Sequence, residues 1–212
     1  MVNCVLFDKD GVIFDMEPVY ARANVEVLGR YGMGLTDEEY FLHWTRNGGT
    51  LKGFLNGRAD RDYDSIVKER REIIEGILRK GVPIIDGAEE LLQRLRGSYL
   101  LSLVTSSHKD VTDIALEETG FRRYFDNVVT VEDVLRGKPD PEAFLLAAER
   151  LNADPSDCVV VEDAEKGIVA AHRAGMKSIA VYSPYTENND FSLANVCVKD
   201  LREITLEMIA SI

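Results

Sequence analysis

Two aspartates two residues apart, Asp8 and Asp10, close the apolar run Val2–Phe7 and are followed at once by Gly11. Carboxylates at the exit of a buried strand are costly. Burial raises their pKa and they repel each other, so both stay ionised only beside a cation or strong donors. Two readings satisfy that demand: a divalent metal with one carboxylate free to attack an electrophile, or an ordinary strand exit whose acids face water. Three further groups sit at similar places. Thr105, Ser106 and Ser107 end the run beginning at Tyr99, Glu162-Asp163 follows Cys158–Val161, and Gly137-Lys138-Pro139-Asp140-Pro141 sets one lysine in a rigid turn. If these ends converge, the set suits phosphoryl transfer. Carboxylates hold magnesium, which prefers oxygen ligands. A hydroxyl, helix N-terminal amides and a lysine offset phosphoryl charge. One aspartate can then attack phosphorus in line, giving an aspartyl-phosphate.

The elements that must position these groups follow from periodicity. Residues 16–80 read as helical throughout. Pro18 opens a helix running to about Tyr31, Thr36 and Glu39 form a capping box, a short helix covers Leu51–Leu55, and a charged helix runs from Asp62 to Arg79. From Asp86, predicted as a helix cap, the texture alternates. Strands at Tyr99–Thr105, Val128–Val131, Cys158–Val161, Lys177–Tyr182 and Val196–Val198 are separated by helices, the last helix being Leu201–Ile209. Alternation of this kind predicts βαβ units and an α/β fold, with ligands bound beyond the carboxyl ends of the strands.

The 212 residues carry a formal net charge of −12, with 45% hydrophobic and 29% charged residues. No basic stripe exists to meet nucleic acid. A small anionic substrate stays possible, because a few local cations govern one pocket. The three cysteines, Cys4, Cys158 and Cys197, show no metal-ligand spacing and read as buried reduced thiols. No signal-peptide pattern opens the sequence, and no apolar run approaches the ~20 residues of a membrane span. A cytoplasmic monomer acting on a small phosphorylated metabolite, with no nucleic-acid or membrane partner, is the expectation.

FDKDGVIFD, the VTSS strand end, GKPDP and VVVEDAEKGIVAAHRAGM closely resemble the four motifs of the haloacid dehalogenase superfamily, in that superfamily's order. The branch it looks like is that of phosphoglycolate phosphatase and β-phosphoglucomutase. The resemblance implies a doubly wound parallel, Rossmann-like core over residues 1–15 and 82–212, with an inserted α-helical cap domain at 16–81. It implies Asp8 as nucleophile and magnesium ligand, and Asp10 as acid/base that also offers its backbone carbonyl to metal. Thr105 and the Ser106 amide would bind phosphoryl. Lys138 would screen Asp8 and phosphate, Asp163 would be the second carboxylate ligand, and Glu162 would ligate or orient metal-bound water.

Each group has a structural alternative. Asp163 could be a helix N-cap, Lys138 a solvated loop residue, and Thr105 a plain β-branched strand residue. Ser107 reads as the cap of the next helix, Trp44 as bundle core, the charges of Arg58–Arg79 as a solvated face, and His43, His108 and His172 as structural or exposed. Asp10 favours phosphate esters over halides or phosphonates. The mutase pattern has a histidine ten residues after the acid/base aspartate, where this chain has Tyr20, and its arginine-bearing cap loop is matched loosely by Arg46 and Lys52. The expected function is therefore a magnesium-dependent phosphatase for a sugar phosphate or phosphoglycolate-like ester. The alternatives are a β-phosphoglucomutase-type mutase and a catalytically silent binding module. Arg46 is the expected substrate contact of the cap loop.

Overall fold

The computed structural model describes residues 2–46, 49–56 and 62–212. Six parallel strands, β1 (Cys4–Phe7), β2 (Leu100–Val104), β3 (Asn127–Val129), β4 (Cys158–Glu162), β5 (Lys177–Val181) and β6 (Val196–Val198), form one sheet in the order β3-β2-β1-β4-β5-β6. The short apolar runs leave each central strand buried on both faces, as a doubly covered parallel sheet requires. Val5 and Phe7 face one layer, made by α5 (Ala88–Leu95), α6 (Lys109–Thr119) and α9 (Leu206–Ser211). Cys4 and Leu6 face the other, made by α7 (Glu142–Arg150) and α8 (Glu165–Arg173). Strand order reverses between β1 and β4, so the chain leaves those two strands in opposite lateral directions and a crevice opens beyond their carboxyl ends.

The remaining helices, α1 (Glu17–Arg30), α2 (Asp37–Tyr40), α3 (Leu51–Leu55) and α4 (Tyr63–Leu78), come from the stretch between β1 and α5. Helix α1 packs along α4, and α4 also packs on α6 with an Arg71–Asp110 ion pair at 3.0 Å. The predicted capping box is present: Thr36 Oγ1 accepts from the Glu39 amide, and the Glu39 carboxylate accepts from the Thr36 amide. Among the described residues no helix is long and apolar enough to cross a membrane.

Several local expectations change. Phe41–Arg46 is a π-helical segment rather than a continuation of α2. Helix α5 is entered through Gly87 in the left-handed region (φ 83°), which removes Asp86 from the capping position. Cys4 and Cys158 are direct register partners on neighbouring parallel strands, with Cα atoms 5.0 Å apart, and form a disulfide instead of two free thiols. Cys197, on the outer strand β6, is exposed rather than buried.

Phe144 anchors the second layer and is fully buried. Its replacement by alanine opens a cavity beneath β1 and β4 and is expected to lower unfolding free energy by about 3–5 kcal/mol, read as a shift in urea midpoint. An unchanged midpoint would show that α7 does not carry the core as described.

Candidate active site

The site is built where β1, β2 and β4 end. The Asp8 amide donates to Val161 O at 2.9 Å, so the aspartate still belongs to the ladder while its side chain stands at the sheet edge. Lys138 reaches this point from the loop ahead of α7. Its Nζ donates to Asp8 Oδ1 at 2.5 Å, to Glu162 Oε1 at 2.8 Å and to Val104 O at 3.1 Å, lying 4.8 Å from the centre of the Phe144 ring. The lysine side chain is almost wholly buried. Burial works against its charge, but the Asp8 and Glu162 carboxylates outweigh that and hold it above the ordinary lysine range. The solvated-loop alternative for Lys138 is excluded by this geometry.

Acid exceeds base here. Burial pushes Asp8 up to about 7, Lys138 opposes the rise, and Glu162 and Asp10 add to it. Asp163 is held well above the usual carboxylate range by burial and by Glu162, Asp8 and Asp10 together. Two glycines make the crowding possible. Gly11 has φ +81°, and a Cβ there would stand 2.0 Å from Asp163 Oδ2; one on Gly167 of α8 would stand 1.8 Å from Glu162 Oε1. Glu162 Oε2 also accepts from the Ala164 amide at 2.8 Å. Ala164 is the N-cap of α8, so Asp163 does not cap the helix and its carboxylate is left to the crevice. Among the described residues no three His, Cys, Asp or Glu side chains close on one point at ligating distance.

Thr105 is buried at the end of β2, with Oγ1 accepting from the Ser107 amide at 3.0 Å, and Ser106 lines the crevice. Asp10 lies across from them. Ser107 Oγ donates to its Oδ2 at 2.6 Å, and the Tyr20 hydroxyl lies 3.3 Å from Oδ1 and 2.9 Å from Ser107 Oγ. The fully buried Lys9 ammonium is 3.1 Å from Oδ1, an ion pair by distance whose angles fall outside hydrogen-bond geometry. Burial and Asp10 push the Tyr20 phenol up to about 12.

A cavity of about 710 Å³ extends from these groups towards α1, α2 and α4. Its outer walls include Glu17, Tyr20, Tyr40, Trp44 and Arg70 from the helical stretch, and Lys166 and Tyr185 from the sheet side. Arg70 donates from Nε to Asn24 Oδ1 at 2.9 Å, and its guanidinium lies 5.5 Å from the centre of the Tyr20 ring. Burial lowers the Arg70 pKa from the usual arginine value.

The expected core residues Asp8, Asp10, Thr105, Ser106, Lys138, Glu162 and Asp163 are thus brought together. Ser107 is not the helix cap: His108 occupies that position and the Ser107 hydroxyl goes to Asp10. Trp44 is half-buried and lines the cavity. Arg70 departs from the solvated-face reading of Arg58–Arg79. It lies four residues from both Ile66 and Ile74, inside the buried stripe of α4, and that spacing was the signal. Nothing in the pattern singles out Lys9. The Arg46 side chain lies outside the described residues; Lys52 is exposed and does not line the cavity. His108 pairs with Glu132 at 2.7 Å.

A parallel doubly wound sheet with aspartates, hydroxyls and a lysine at its strand ends defines a class of α/β hydrolytic enzymes, and comparison with known proteins places the chain within it. The family model for haloacid dehalogenase-like hydrolases matches residues 5–181, and the chain belongs to that family. Fructose-1-phosphate phosphatase YqaB of Escherichia coli strain K12 is 33% identical over 182 residues, covering 84% of this chain and 95% of that protein. Hexitol phosphatase A of the same organism is 32% identical over 202 residues, covering 95% and 92%. Among solved structures, CbbY from Rhodobacter sphaeroides in complex with phosphate superposes with a TM-score of 0.87, covering 99% of this chain and all of that one at 22% identity, which shows the shared fold.

The raised Asp8 carboxyl has a consequence for stability. A carboxyl at about 7 in the folded protein and 3.8 unfolded releases its proton on unfolding between those values. Metal-free protein should therefore lose stability as pH rises from about 5 to 7.5, above the range where the surface acids titrate. Thermal midpoints in chelator are expected to fall across that interval in the wild type and to stay flatter in Asp8→Asn. Midpoints that climb equally in both would show that Asp8 is not held protonated by its surroundings.

Proposed function

We propose that the chain is a magnesium-dependent phosphatase for a small phosphate monoester of the sugar-phosphate or phosphoglycolate class, working through an aspartyl-phosphate. The observation that carries the reading is Asp8 set against buried Lys138 beside Glu162 and Asp163, with Asp10 fixed across the same cavity. Residues 1–15 and 82–212 would form the catalytic core and 16–81 a helical cap over it.

The donor set fits a hard divalent cation. The carboxylates offer oxygens, and the burial and mutual repulsion that lift Asp8 and Asp163 are what such a cation offsets. Asp8, Asp163 and the Asp10 carbonyl would hold it, with Glu162 as ligand or as acceptor for a bound water. When bound, the ion supplies positive charge to phosphoryl oxygens and to the attacking carboxylate. The rest is done by the chain. Asp8 attacks phosphorus as the bond to the leaving oxygen breaks, and Asp10 passes that oxygen a proton. Water then adds to phosphorus, gives its proton to Asp10, and the Asp8–phosphorus bond breaks to return the carboxylate. Thr105 and the Ser106 amide steady the phosphoryl group, and Lys138 offsets its charge. The aromatic walls Tyr40 and Trp44 and the acids Glu17 and Asp15 suit a hydroxylated substrate. Relatives named for fructose 1-phosphate and hexitol phosphates support that class.

Phosphate release from a panel of hexose, hexitol and glycolate phosphates plus p-nitrophenyl phosphate tests this. Release should require magnesium, stop with chelator and vanish in Asp8→Asn; activity surviving Asp8→Asn would overturn the mechanism. Conversion of β-glucose 1-phosphate to the 6-phosphate without release would make it a mutase, and absence of any turnover a binding module. Arg70→Ala and Arg46→Ala are each expected to raise KM for the best sugar phosphate by about 10-fold or more, the loss of one charged hydrogen bond, and to affect the aryl ester less. Equal effects on both esters would remove the arginine concerned from substrate recognition.

A further inference from the structure

The Asp10 carboxylate is held by hydroxyls from distant parts of the chain. Ser107 Oγ donates to Oδ2 at 2.6 Å; the Tyr20 hydroxyl is 3.3 Å from Oδ1 and 2.9 Å from Ser107 Oγ. Each hydroxyl has one proton. Ser107 directs its proton to the carboxylate through the short contact, so the shorter path for the Tyr20 proton is to the Ser107 oxygen. The hydrogen bonds therefore run from Tyr20 to Ser107 to Asp10 Oδ2, while Oδ1 faces the Lys9 ammonium at 3.1 Å. Tyr20 is itself anchored in α1: its carbonyl accepts from Asn24 Nδ2 at 2.9 Å, and the same Asn24 holds Arg70. Rotation of the carboxylate about its terminal bond would break the Ser107 bond to Oδ2 and carry Oδ1 away from the Lys9 ammonium together.

We propose that Ser107 and Tyr20 are positioning residues for Asp10, Ser107 setting the rotation of the carboxylate and Tyr20 setting Ser107 from the helical stretch. The proposal rests on the phosphatase reading, because only there does Asp10 move protons. An acid/base group works when held within hydrogen-bond reach of the atom it serves, and small misplacements are expensive. Asp10 is needed twice: to protonate the leaving oxygen as Asp8 takes the phosphoryl group, and to accept a proton from the water that releases phosphate. A p-nitrophenolate leaves without a proton, so an aryl ester bypasses the first need and keeps the second.

Ser107→Ala and Tyr20→Phe each delete one hydroxyl, and Ser107→Thr keeps it. Rapid-mixing and steady-state kinetics would use the fastest hexose phosphate of the panel and p-nitrophenyl phosphate, with magnesium present. Ser107→Ala is expected to lower kcat for the hexose phosphate about 10- to 100-fold with KM within about twofold, the scale of a misplaced acid/base. With the aryl ester it should give a burst of one nitrophenolate per enzyme followed by slow turnover. Tyr20→Phe should show the same pattern more weakly, and Ser107→Thr should restore kcat. Unchanged kcat in Ser107→Ala, or a loss equal on both esters with no burst and no rescue by threonine, would overturn the positioning role. A wild type that turns over neither ester removes the phosphatase reading, and this inference with it.

Discussion

The arrangement depends on an imbalance of charge at the end of the sheet. Asp8, Asp10, Glu162 and Asp163 gather in a crevice where Lys138 is the cation that touches two of them. Continuum cost is highest for unpaired buried charge, so the group is stable only when protons, a lysine or a divalent ion share it. Burial and that imbalance together raise Asp8 and Asp163, and the Asp8 and Glu162 carboxylates hold Lys138 above the ordinary lysine range.

Topology puts the acids together. Sheet order reverses between β1 and β4, so Asp8 and Glu162-Asp163 come from neighbouring strands whose connections diverge. Gly11 and Gly167 remove the Cβ atoms that would occupy the carboxylate positions. Phe144 lies under Lys138 and ties its loop to the apolar layer below. Stability of that layer therefore bears on the geometry of the site, although none of its residues reacts.

The helical stretch contributes polar side chains that reach inward to Asp10 and Ser107. Asn24, fully buried, binds both the Tyr20 carbonyl and the Arg70 side chain, and Tyr20 in turn touches Asp10 and Ser107. A polar chain of this kind is favourable when its members are satisfied, and it fixes relative positions more sharply than apolar packing does. The cavity wall at Arg70 and the Asp10 carboxylate are linked through α1 and α4.

Much of this was legible in the residues. Apolar runs ending in acids marked β1 and β4, helical spacing marked α1 and α4, and the order of the motifs matched one family over residues 5–181. Local pattern suffices there because burial on both faces and 3.6-residue periodicity are imposed residue by residue. The partners of single polar side chains were not legible. Ser107 turned from a helix cap into a donor to Asp10, Arg70 turned from solvent into the cavity, and Cys4 met Cys158 across 154 residues of sequence. Each outcome depends on which distant atom comes within about 3 Å, a distance on which hydrogen bonds turn and about which local spacing says nothing. Local pattern was enough to read the class of fold and the acids, hydroxyls and lysine at the strand ends; the direction in which each of them points depends on contacts made only in the folded chain.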